Sequence, residues 1–170
     1  MTLLEFEKIL KQGESIHTEF KSWIKASNMR ERIALAVDEL IALANAKGGT
    51  VYLGVEDNGE VTGCTGNYDL QNIVESIYDK TRPGLFTEIE ELEYEGKKVI
   101  SLSVEADGIT YATTDGRCLR RLGKNSKPYY PDEMSNRYST VQTPDFSGQI
   151  IVESTEDDIN KLEIYKLKEK

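Results

Sequence analysis

Between Gly116 and Tyr138 the chain carries Arg117, Arg120, Arg121, Lys124, Lys127 and Arg137 against only Asp132 and Glu133. Cations at this density grip phosphates, because phosphate oxygens are contacted mainly by Arg, Lys, small polar side chains and backbone N–H groups. Tyr129 and Tyr130 stand inside the same stretch, with ring faces on which bases of a single strand can stack. The plainer alternative is a solvated, charged hairpin whose aromatic residues belong to the core.

Other catalytic patterns are absent or broken. Gly123-Lys124-Asn125-Ser126 resembles the end of a phosphate-binding P-loop. However, Cys118 stands where the loop's first Gly is required, and Asn125 replaces the Ser or Thr after the Lys. Gly48-Gly49-Thr50 opens a strand, so it presents no helix N–H groups to a phosphate. Gly59, Gly63 and Gly66 miss the dinucleotide spacing. A single histidine, His17, argues against hydrolytic triads and structural zinc. Cys64 and Cys118 are far apart and lack CxxC partners, which fits a reducing compartment and small buried thiols.

These residues need a scaffold, and the periodicities supply one. Leu3, Leu4, Phe6, Ile9 and Leu10 predict a helix over 2–11, closed by Gly13. His17 to Trp23 alternates as a strand. Ile33, Val37, Leu40, Ile41 and Ala44 define the clearest helix, over 28–46. Asn28 and Glu31 are placed as a capping box, and Lys47-Gly48-Gly49 is the stop. The apolar run Thr50–Val55 fits a central strand buried on both faces. Asp57-Asn58-Gly59 turns the chain into a short strand at Glu60–Gly63. Leu70–Lys80 reads as a helix, ended by Arg82-Pro83-Gly84. Phe86–Tyr94 and Val99–Val104 read as a hairpin about Glu95-Gly96. Short strands are expected at Ile109–Thr113 and Arg117–Leu122, and a helix start at Pro131. Gln142–Gly148 reads as a linker, Ile150–Val152 as a small strand, and Thr155–Lys170 as a helix leading toward a further domain.

The 170 residues are 38% hydrophobic and 30% charged, which suits one domain with a true core rather than a disordered chain. No apolar run is long enough to span a bilayer, and the N-terminus has no signal-peptide pattern. The expected location is the cytoplasm. Net charge is −9, which argues against nonspecific coating of nucleic acid and makes the basic island more conspicuous. Seven acids against Lys97 and Lys98 fill Phe86–Asp107.

Three blocks follow one another along the chain. Glu14-Ser15 leads to Glu19-Phe20-Lys21. Ala44-Asn45-Ala46-Lys47-Gly48-Gly49 leads to Gly54-Val55-Glu56-Asp57-Asn58-Gly59 and Gly63. Arg121-Leu122-Gly123 comes last, followed by Lys124-Asn125-Ser126. This set resembles the AlbA_2 family, the Schlafen AlbA-like DNA-binding domain formerly labelled "divergent AAA". The resemblance runs from about Phe6 to Tyr138. It implies an α/β (α+β) fold: a mixed sheet flanked by two main helices, with a short C-terminal appendage. It implies a domain over 1–140 and a connector with a helix over 141–170. It also implies the N-terminal, DNA-binding part of a bacterial transcriptional regulator.

By the same resemblance, Glu14, Glu19 and Asp57 match carboxylates that hold a metal in some Schlafen ribonucleases, and Lys21 matches the neighbouring lysine. Mg²⁺ or Mn²⁺ suits such oxygen ligands and would polarise a phosphoryl group. Glu19 and Lys21 share a strand face, whereas Glu14 reaches that face only from a turn. Whether Glu56 or Asp57 points inward is open. Acids near turns are commonly solvated, and a Glu–Lys pair on a strand is commonly a weak salt bridge. The leading expectation is a nucleic-acid-binding module without a cofactor. It would grip phosphates with Arg117, Arg120, Arg121, Lys124 and Lys127, with DNA or RNA as partner, no membrane, and a homodimer that doubles the basic patches. The alternatives are a metal-dependent RNA endonuclease on Glu14, Glu19, Lys21 and Asp57, or a protein-interaction module.

Overall fold

The computed structural model describes residues 1–134. The connector expected over 141–170, with its strand and helix, lies outside the described residues, as do Arg137 and Tyr138.

Helix α1 (Leu3–Gln12) starts at a complete capping box, in which Thr2 and Glu5 exchange side-chain-to-backbone bonds. It ends at Gly13. Strand β1 (Thr18–Lys21) follows. In α2 (Met29–Ala44) Asn28 caps the Glu31 N–H. The Glu31 carboxylate reaches one residue further back than a capping box requires, to the N–H of Ser27. Strand β2 (Gly49–Leu53) is central, α3 (Leu70–Asp79) is capped by Asp69, and β3 (Thr81–Arg82) is a two-residue strand. Strands β4 (Glu88–Tyr94) and β5 (Lys97–Val104) form the expected hairpin. Its turn places Glu95 and Gly96 at positive φ, as a tight hairpin requires. Short β6 (Ala112–Thr113), β7 (Leu119–Leu122) and β8 (Asn125–Pro128) complete the set, and residues 131–134 make a helical turn.

The main sheet is mixed, in the order β1-β2-β5-β4. Strands β1 and β2 are parallel, with Glu19 beside Val51, and the other pairs are antiparallel. On one face Val51, Leu53, Ile100, Leu102 and Val104 pack under α2 and α3. On the other, α1 lays Phe6 against Phe20, Tyr52, Val55 and Val99. The central strand β2 is thus covered on both faces, as its unbroken apolar run requires. Full burial of a side chain such as Phe6 contributes about 2–3 kcal/mol.

Two local expectations change. Residues 60–63 form no strand: a single bridge between Val55 and Val61 replaces it. The short strands expected at Ile109–Thr113 and Arg117–Leu122 are cut down to β6 and β7; β6 pairs with β3, and β7 pairs with β8. Gly49 earns its place beside β1, because a Cβ there would lie 2.4 Å from the His17 carbonyl oxygen.

Candidate nucleic-acid interface

The β7–β8 hairpin lies along α2 and over the β1 edge of the sheet. It brings both groups of candidate residues together. Glu14, Glu19, Lys21 and Asp57 meet Arg121 and Lys124 around one polar hollow of about 410 Å³.

Each acid arrives from a different place. Glu14 stands on the turn after α1, where Oε1 accepts from the Phe20 N–H at 3.5 Å. Glu19 and Lys21 alternate with Phe20 along β1, so they face α2 while Phe20 faces α1. Asp57 is exposed on the turn after β2 and lines the hollow. Its neighbour Glu56 is buried, paired to Lys25 at 2.7 Å and accepting from the Thr62 hydroxyl at 3.0 Å. Asp57 is therefore the acid that faces the site.

The centre of the hollow is a four-charge cluster. Lys21 Nζ lies 2.5 Å from Glu19 and 3.1 Å from Glu39 of α2. Arg121 lies 2.6 Å from Glu19 Oε2 and 3.2 Å from Glu39 Oε2. The Arg121 guanidinium also donates to the carbonyl oxygens of Ser15 (2.9 Å) and Thr18 (3.0 Å). Ser126 donates to Glu39 at 2.5 Å. Burial pushes the Glu19 carboxyl above its ordinary value, the Lys21 hydrogen bond opposes this, and the Glu39 charge adds to the rise. Burial also works against the Lys21 ammonium, but the Glu19 hydrogen bond and the Glu39 charge outweigh it and raise its pKa. Lys21 therefore stays charged at neutral pH.

This geometry revises the part expected of Arg121. Its side chain is only 1% exposed, and its donors are engaged by β1, Glu19, Glu39 and Ser126. It fastens the hairpin to the sheet edge instead of projecting toward solvent. Arg117 is exposed but paired with Asp38 and, at 3.3 Å, with Asp115. Arg120 sits 5.3 Å over the ring of Tyr129. Tyr129 is buried and so unable to stack on a base, while Tyr130 is 59% exposed. Lys124 and Lys127 are exposed, with no ion pair among the described residues.

Glu39 is the site residue that sequence reasoning missed. It occupies a polar position on α2, and its partners lie far away in the chain. No local signal marks it, beyond its being a polar residue between apolar turns of the clearest helix.

The carboxylates do not assemble into a metal cage in this arrangement. Both oxygens of Glu19 face cations, and among the described residues no group of three or more Asp, Glu, His or Cys is placed to hold a metal ion. Mg²⁺ or Mn²⁺ wants several oxygen ligands together, so the donor set does not fit it here.

The model of the family described as Schlafen, AlbA_2 matches residues 14–130. Among solved structures, the DIP2311 protein from Corynebacterium diphtheriae aligns with a TM-score of 0.64 at 20% identity. That match covers 79% of this chain and 27% of the Corynebacterium chain, so the present sequence corresponds to about a quarter of that protein. At this identity the likeness establishes the fold alone. The N-terminal domain of a RecG-related protein from Nitrosomonas europaea aligns with a TM-score of 0.45 at 19% identity, over 74% of this chain and 90% of that domain. No curated protein matches the chain.

Proposed function

The chain belongs to the Schlafen AlbA_2 family, and from that premise we propose that it is the nucleic-acid-binding module of a transcriptional regulator, with DNA as its partner. The observation that carries this reading is the β7–β8 hairpin. Lys124 and Lys127 are exposed there with no ion pair among the described residues, and Tyr130 stands exposed just beyond. The buried Arg121 and half-buried Glu39 fasten the hairpin to the sheet edge and α2, so phosphate contact there needs less ordering than on a free loop. Arg120 adds a cation already placed by Tyr129.

The net charge of −9 keeps a single copy's affinity low. A homodimer would present two hairpins to one duplex, and a cytoplasmic location would give access to it. Among the described residues no helix is long and apolar enough to cross a membrane.

Fluorescence anisotropy tests the reading, with labelled duplex DNA, single-stranded DNA and tRNA across a salt series in Mn²⁺. Duplex binding should weaken steeply with salt. Lys124→Ala and Lys127→Ala should each reduce the log–log slope by about 0.9, the value for one lost phosphate contact. Salt-insensitive, featureless curves would remove nucleic acid as the partner. Shortened tRNA, abolished by Asp57→Ala, would replace binding with the metal-dependent ribonuclease reading.

A further inference from the structure

A second surface lies between α3 and the sheet. Two adjoining hollows of about 600 and 440 Å³ share Val74, Leu85 and Phe86. Tyr78 extends the apolar floor at one end, and Val104 and Tyr111 extend it at the other. Phe86 is 80% exposed and Tyr78 44% exposed, with their ring centroids 5.3 Å apart. Solvated aromatic pairs of this kind are the usual anchors of protein interfaces.

The groove is built rather than incidental. A Cβ on Gly84 would sit 2.4 Å from the Tyr78 ring, so glycine lets that ring close onto the turn. Thr81 Oγ1 accepts from the Leu85 N–H at 2.8 Å and donates to the Ile77 carbonyl of α3 at 3.0 Å, which pins the turn to the helix. The Thr87 hydroxyl is buried in the groove wall, with no hydrogen-bond partner among the described residues.

The rim decides the occupant. Among the described residues its charged side chains are Glu75, Asp79, Glu88, Glu105 and Asp107, and no Lys or Arg lines either hollow. We infer that this groove docks a basic amphipathic segment of a partner protein, with apolar side chains against Phe86 and Leu85 and Lys or Arg facing the acidic rim. Charge complementarity of this kind selects the partner and speeds encounter. An acidic segment is repelled by the same rim.

The test uses the full chain and two fluorescent peptides of one amphipathic helical pattern, one built of Leu and Lys, the other of Leu and Glu. The Leu/Lys peptide should bind and the Leu/Glu peptide should not. Phe86→Ala, at a solvated position, and the Glu88→Lys/Glu105→Lys pair should each weaken binding about tenfold or more, a hot-spot loss. Glu93→Lys on the exposed strand β4 makes the same kind of charge change away from the groove and should leave affinity within about twofold. Equal weakening by Glu93→Lys, or indifference to Phe86→Ala, would reduce the binding to general attraction for an acidic protein and overturn the inference. Sedimentation showing a dimer that Phe86→Ala dissociates would also overturn it, by making a second copy the occupant.

Discussion

At the scale of single residues, the site is governed by which charges are buried and which are exposed. Arg121 lies in the basic island, yet it is enclosed by Glu19, Glu39 and the carbonyls of Ser15 and Thr18. Removing one partner of a buried ionic network is costly because the other charges stay desolvated and unpaired. Arg121→Ala should therefore destabilise the fold by about 3–5 kcal/mol, measured by urea denaturation. Lys124→Ala should change stability by less than about 0.5 kcal/mol. Equal, small effects would show that Arg121 is not the hairpin's fastener. The sequence made the identity of these residues legible but not their division of labour. Arg120, Arg121 and Lys124 look alike in a linear reading, and only the strand alternation of β7 turns Arg121 inward and Arg120 outward. Asp57 and Glu56 were separated for the same kind of reason, by a turn geometry that composition does not encode.

At the scale of elements, the long periodic segments were legible and the short ones were not. The α2 stripe and its Asn28 cap, the central β2 run and the β4–β5 hairpin are each specified by local pattern. Strands β3 and β8 carry no such pattern. Thr81–Arg82 is two residues long before a proline, and Asn125–Pro128 is polar and ends in one, so both are strands only because tertiary partners hold them. The joint that makes this possible is Asn45, at the C-cap of α2. Its side-chain amide donates to the Tyr111 and Leu119 carbonyls at 2.7 and 2.8 Å, and its oxygen accepts from the Tyr111 N–H at 2.7 Å. This explains physically why an Asn stands before the Gly-Gly pair: one small amide ties the helix end to the segment leading into β7. Asn45→Ala would strand buried backbone groups at roughly 1–3 kcal/mol each. It should lower stability by about 3 kcal/mol in total, and hydrogen exchange should show faster amide exchange through 111–122 than in β5. Uniform loss of protection across the domain would mean that Asn45 supports the whole fold equally.

At the scale of the whole molecule, two opposed surfaces share one acidic chain. Two of the exposed cations that have no ion pair among the described residues, Lys124 and Lys127, stand on the β7–β8 hairpin at the β1 edge. The opposite edge, β4, presents Glu88, Glu90, Glu91 and Glu93 along an exposed strand. Glutamates repeated along an open edge also oppose pairing with the same edge of another copy, because antiparallel addition would set like charges across from one another. A homodimer that doubles the hairpins must therefore use another face. The same acids set the kinetics of the proposed nucleic-acid binding. They repel a polyanion at a distance without touching it, so they slow approach more than they weaken the final contacts. Glu90→Gln/Glu93→Gln removes two of these charges far from the hairpin. Stopped-flow binding to duplex DNA at low salt should then show an association rate a few-fold higher with an unchanged dissociation rate. The difference should vanish near about 1 M salt, where the screening length falls to roughly 3 Å. A slower dissociation rate in the variant would instead place β4 in the contact surface, and the hairpin would lose its standing as the face that meets phosphate.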